Sequence, residues 1–80
     1  MSNKLFRIHL TLPKKNSAFL YFILESYEGL VFYSTLDHQI GQLSREMEIY
    51  CPRENFADFE ILFQELISIL DIEVNSTQSL

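Results

Sequence analysis

The chain has little with which to staple itself. Its eighty residues include one cysteine, Cys51, so no disulfide can close within it,. Glycine and proline occur twice each and tryptophan not at all. That excludes a glycine-rich phosphate loop and any proline- or glycine-rich linker. Basic residues are also few, six against eleven acids, with a formal net charge of −5 and a pI near 4.8. Sequence-independent nucleic-acid binding needs Lys and Arg to displace counterions, so it is excluded as an expectation. Long apolar runs are missing too. The longest, Ala18 to Leu24, has seven residues, against about 18 for a membrane span. No apolar stretch of signal-peptide length follows Lys4, so neither a secretory leader nor a membrane partner is expected. With its lone thiol, the chain reads as cytoplasmic.

What is present is apolar and aromatic. Hydrophobic residues make up 48% of the chain and aromatics 14%, with seven Phe, which is too apolar for disorder. The length suits one domain, read as residues 1–74 with 75–80 as a flexible C-terminal tail. A chain of this size buries only about 60–65% of its unfolded surface, so its core margin is thin. The charge is uneven. Residues 1–15 hold four basic residues and no acid, whereas residues 16–80 hold only Arg45 and Arg53 against all eleven acids.

Residues 5–12 alternate, with Phe6, Ile8, Leu10 and Leu12 on one side and Leu5, Arg7, His9 and Thr11 on the other, a half-buried strand that Pro13 ends. From Lys14 to Glu28 the period becomes helical. Phe19, Leu20, Ile23, Leu24 and Tyr27 share one arc, and Gly29 is placed to cap it. Tyr21 and Phe22 fall outside that arc. Residues 30–36 are β-branched and aromatic, a second strand. Residues 37–41 form a turn, with Gly41 as the residue of positive φ. Residues 42–51 alternate again, with Leu43, Met47, Ile49 and Cys51 on the apolar side against Ser44, Glu46, Glu48 and Tyr50, and Arg45 the one misfit on the apolar side. Pro52 suits the first turn of a second helix. Its stripe is Phe56, Phe59, Leu62, Phe63, Leu66, Ile67 and Leu70. Ile72 to Val74 has the pattern of a short closing strand.

Two helices with apolar faces need one shared apolar sheet face. The right-handed crossover rule makes the first two strands parallel with a gap, which the third fills by its hairpin. The expected fold class is α+β, a ferredoxin-like split βαβ sandwich. It has an antiparallel sheet in the order fourth, first, third, second, and two helices on one face.

The stretch FLYFILESYEGLVFYSTLD, Phe19 to Asp37, resembles a family of short bacterial proteins known only as a domain of unknown function. The likeness extends through the strand that ends before Cys51-Pro52. It implies an ACT-like, ferredoxin-like βαββα(β) fold and brings no known activity. ACT domains are amino-acid-sensing regulatory modules that pair through their sheets.

Three groups of residues are candidates for function. Lys14, Lys15, Asn16 and Ser17 open the first helix, where free N–H groups and two cations favour a small anionic ligand. The open sheet face would carry Arg7, His9 and Thr11 opposite Glu46, Glu48 and Tyr50, with either Val31/Tyr33/Thr35 or Phe32/Ser34 from the second strand. With Tyr21 and Phe22, these residues form the candidate interface of a homodimer. His9, His38 and Cys51 lack the paired spacing of a metal site, so no metal and no cofactor is expected. No acidic pair, nucleophile elbow, Walker loop or HExxH occurs. The expected function is therefore non-enzymatic, a regulatory ligand-sensing or protein-interaction module working as a homodimer. The alternative is a small enzyme in which His9 and Glu46 or Glu48 move protons across the open face.

Overall fold

A computed structural model describes residues 5–27, 31–36 and 41–80. The elements run β1 (Leu5–Pro13), α1 (Lys14–Glu25), β2 (Phe32–Thr35), β3 (Ser44–Pro52), α2 (Arg53–Ile69) and β4 (Glu73–Ser79). The four strands form one sheet in the order β2-β3-β1-β4, antiparallel at every junction. No helix of the described residues is long and apolar enough to cross a membrane.

Period two does the sorting. Ile8, Leu10 and Leu12 of β1 and Met47, Ile49 and Cys51 of β3 are all buried, and the residues between them reach solvent. Both helices pack on that apolar face. α1 contributes Leu20 and Leu24, and α2 contributes Phe59, Phe63, Leu66 and, just past its end, Leu70. Full burial of one such side chain contributes about 1.5–3 kcal/mol. Aromatic pairs add to this. Phe59 and Phe63 stack at 5.4 Å between centroids, and the Tyr27 ring meets Phe59 edge-on at 5.7 Å. Phe6 and Phe56 stack at 4.1 Å, with the Arg53 guanidinium over the Phe6 ring.

Both strand-to-helix junctions lack a loop. Pro13 ends β1 at φ −60° and Lys14 begins α1; Pro52 ends β3 at φ −58° and Arg53 begins α2. Each ring locks its own φ, and with ψ of 136° and 143° each proline stays extended at the N-cap, one residue before the helix begins,. Pro52 thus stands at the N-cap position rather than inside the first turn. The Lys14 amide donates to the Leu43 carbonyl at 2.8 Å, so the start of α1 is tied to the approach to β3. α2 ends in a left-handed residue, Asp71, at φ 56°. The Ile72 amide reaches back to the Ile67 carbonyl at 3.0 Å, the six-to-one bond of a Schellman end, and the buried Ile72 supplies its apolar contact,. Gly41 has the expected positive φ, 95°.

Several expectations need correction. α1 stops at Glu25, with the Ser26 amide on the Phe22 and Ile23 carbonyls. The expected Gly29 cap and the turn residues 37–40, His38 among them, lie outside the described residues. Phe19 is 52% exposed, not core. The inward line of α1 is Ser17, Leu20 and Leu24, and Phe19 stands one residue, about 100°, away from Leu20. Residues 75–79, expected in a tail, belong to β4, whose register on β1 runs from Thr11↔Glu73 to Phe6↔Ser79 with a bulge at His9/Leu10. Backbone pairing with the central strand holds this segment in place although all seven of its residues are exposed.

Phe63→Ala is expected to cost about 3–5 kcal/mol, the range for deleting a buried Phe ring. Phe63 is 4% exposed and stacked on Phe59, so urea unfolding should show the loss directly. A loss below about 1 kcal/mol would mean that α2 packs differently.

Candidate functional site

The sheet has a second face that no element among the described residues covers. Register decides what stands on it. Arg7 lies opposite Tyr50, His9 opposite Glu48, and Thr11 opposite Glu46. On β2, Phe32 lies opposite Tyr50 and Ser34 opposite Glu48. The pair from the second strand is therefore Phe32/Ser34. Tyr33 and Thr35 turn toward the helices, where Tyr33 stacks on Tyr21 at 5.0 Å. β4 adds Gln78 opposite Arg7 and Ser76 opposite His9.

The polar groups on this face satisfy one another. The His9 Nε2 is 3.0 Å from Glu46 Oε1, on the diagonal across the β1–β3 pair. The Tyr50 hydroxyl donates to Glu48 Oε1 at 2.6 Å. Arg7 donates to the Gln78 side-chain oxygen. Asn75 donates to the Thr11 hydroxyl at 2.9 Å. The bond to Glu48 holds the Tyr50 phenol above its ordinary pKa, with smaller contributions from desolvation and the Glu48 charge, while Arg7 pulls the other way. Among these polar groups lie Phe32, 56% exposed, and the partly exposed rings and chains of Tyr50 and Leu5. Gln78 was hidden from sequence reading because NSTQS carries no apolar alternation to mark a strand.

The two remaining interface candidates lie elsewhere. Tyr21 is on the core side of the sheet. It stacks on Tyr33, bonds to the Thr35 hydroxyl at 2.8 Å, and accepts from Arg45 Nη1 at 3.1 Å. That contact shows how Arg45 is tolerated on the apolar side, although its buried Nε finds no partner. Phe22, 70% exposed, stands on the outer face of α1, with Phe19 one turn before it,. The fold does not bring these two rings to the sheet face.

The anion candidates are partly engaged in holding the fold. Asn16 donates to the Leu70 carbonyl at 2.9 Å and so closes the end of α2. Ser17 is buried and donates to the Lys14 carbonyl at 2.8 Å. Lys14 and Lys15 are exposed and line a surface hollow of about 630 Å³ with Pro13, Gln42 and Leu43. All four belong to the first turn of α1 rather than to a loop. Among the described residues no group of three His, Cys, Asp or Glu is placed to hold a metal ion. No protein-family model and no curated protein matches the chain.

Cys51 faces the core and is fully buried, and burial pushes its thiol up from 9.0 to about 11. The folded state thus favours the neutral thiol. This contribution to stability is complete below pH 9 and is lost as pH rises through about 11,. The urea midpoint should therefore fall across that interval, and fall less steeply in Cys51→Ala. Tyr27, Tyr33 and Tyr50, whose pKa values are also raised, account for the slope that remains in the variant. Equal slopes in both proteins would show that the thiol does not contribute.

Proposed function

We propose that the protein is a non-enzymatic interaction module of ferredoxin-like, ACT-like architecture that forms a homodimer through the open face of its sheet. The strand order, read from the other edge as β4-β1-β3-β2, supports the architectural part of this reading, as does packing of both helices on one face. The likeness of Phe19–Asp37 to a short bacterial family belongs to the same proposal. So does a cytoplasmic setting, which suits a single thiol shut in the core,.

One observation carries the dimer. The uncovered face carries Phe32 on its β2 edge beside Tyr50 of β3, and its charged groups already hold hydrogen bonds within the chain. Desolvating an unpaired charge costs several kcal/mol, which is the usual obstacle to covering a polar surface. Here His9–Glu46, Tyr50–Glu48 and Arg7–Gln78 are made before association. A two-fold axis through the face would bring Phe32 and Tyr50 of each copy onto its partner. The outer face of α1 is convex and narrow, and it offers Phe19 and Phe22 far less matched area.

The size of the face sets the strength. The strands have nine, four, nine and seven residues, and at about 4.8 Å by 3.3 Å each these span roughly 460 Å² per partner. That is below the size of standard specific interfaces and fits weak, micromolar association. Three cavities among the described residues lie at the start of α1, between β1 and the end of α2, and beside α2 and β4, and neither His9 nor Tyr50 lines them, which favours the interaction reading over the acid–base alternative.

Sedimentation equilibrium is expected to show a monomer–dimer equilibrium with a dissociation constant of about 1–100 µM. Phe32→Lys should weaken it at least tenfold without lowering the thermal midpoint, because Phe32 is mostly exposed. A wild-type chain that stays monomeric at millimolar concentration would refute the dimer. Loss of the dimer on Phe22→Lys rather than Phe32→Lys would move the interface to α1.

A further inference from the structure

We propose that association through the open face takes up a proton at His9, so that the dimer tightens as pH falls from about 8 to about 5.5. This rests on the open-face homodimer proposed above and adds what regulates it.

The cross-strand rows of the face divide its charge. One row holds Phe32, Tyr50, Arg7 and Gln78, and no carboxylate. The next holds Ser34, Glu48, His9 and Ser76. The third sets Thr11 between Glu46 of β3 and Glu73 of β4. His9 thus stands beside the acidic end. Glu48 lies directly opposite it, Glu46 and Glu73 lie on the diagonals, and Arg7 lies two residues back on its own strand. The helices pack on the other side of the sheet.

Among the described residues, the face holds one guanidinium and three carboxylates. That leaves a charge of −2 while His9 is neutral and −1 once its ring is protonated. The partners already made do not balance the acids. Arg7 donates to the uncharged Gln78, and Glu48 accepts from the uncharged Tyr50 hydroxyl. His9, whose Nε2 is 3.0 Å from Glu46 Oε1, is the group that can add a positive charge there. Imidazole is the side chain that ordinarily changes charge between about pH 5 and pH 8.

Covering the face gives that charge its effect. In the monomer the His9 and Glu46 side chains are 30% and 54% exposed, and an ion pair in water gains little,. A second copy removes the water. The Glu46 carboxylate then needs an opposite charge beside it, which a neutral imidazole does not supply and an imidazolium does. The two-fold axis also sets two acidic faces against each other, and protonation of both His9 rings lowers that repulsion. Association therefore favours the protonated ring, and by linkage the protonated ring favours association.

The test is sedimentation equilibrium of the full chain at about pH 8, 6.5 and 5.5 and constant ionic strength. The wild-type Kd should fall at least tenfold across that interval, which lies above the ordinary carboxylate range. His9→Gln keeps a polar side chain without a titrating charge, and its Kd should change less than threefold. His38→Gln, which removes the other histidine of the chain, should keep the wild-type dependence. Glu46→Gln removes the charge that His9 must meet. It should dimerise at least threefold more tightly than wild type at the highest pH and gain less on acidification. Thermal melts of each variant check folding, and Glu46→Gln decides if His9→Gln does not fold. A wild-type dimer with the same Kd at all three pH values overturns the proton coupling and leaves the dimer standing. A chain that stays monomeric at millimolar concentration throughout overturns the dimer and the coupling with it. Full pH dependence in His9→Gln, its loss in His38→Gln, or a Glu46→Gln dimer no tighter than wild type at the highest pH overturns the role of His9.

Discussion

Nine consecutive pairs join β1 to β3, from Leu5 opposite Pro52 to Pro13 opposite Ser44. The rest of the molecule depends on this register. It aligns Ile8, Leu10 and Leu12 with Ile49, Met47 and Arg45, and it aligns Arg7, His9 and Thr11 with Tyr50, Glu48 and Glu46. A slip by one residue would carry each apolar set to the wrong face. The helices would then have no floor to cover, and the polar network of the open face would be buried. β4 attaches to the other side of β1, and its own register there sets Gln78 opposite Arg7.

The two prolines bound this ladder at opposite ends. Pro13 leads from β1 into α1, and Pro52 leads from β3 into α2, each without a loop. Because β1 and β3 are antiparallel, the helices start from opposite edges of the layer and run past one another. The bond from Asn16, in the first turn of α1, to the Leu70 carbonyl at the end of α2 shows that they do. This explains why a residue with the chemistry of an anion ligand has a structural task. The last carbonyls of a helix need donors, and Asn16 is the side chain that arrives there.

The surface left over has two characters. The open face has a polar network that is complete within one chain, interrupted by Phe32 and Tyr50. The α2–β4 side has an apolar groove next to unpaired strand backbone. The first is suited to a surface of the same kind, since Arg7, Glu46 and Glu48 already hold hydrogen bonds to Gln78, His9 and Tyr50 within the chain. Arg45 belongs to neither. Its guanidinium rests on Tyr21, within the layer between sheet and α1.

The amino-acid pattern alone determined the elements that carry strong periodicity: β1, β3, the apolar stripe of α2, the positive φ of Gly41, and the inward thiol of Cys51. Each follows from local rules, period two or 3.6 and the backbone limits of glycine and proline, that act within a few residues. It also placed Arg7, His9, Glu46, Glu48 and Tyr50 on one face, because alternation in two strands is enough for that. Tertiary structure decided what depends on distant partners. Phe32 rather than Tyr33 faces outward because β2 takes its register from β3. Phe19 is exposed because the sheet accepts the Ser17–Leu20–Leu24 line of α1. NSTQS is a strand because β1 offers its free edge to it, and pairing along a backbone needs no apolar side chain to announce it.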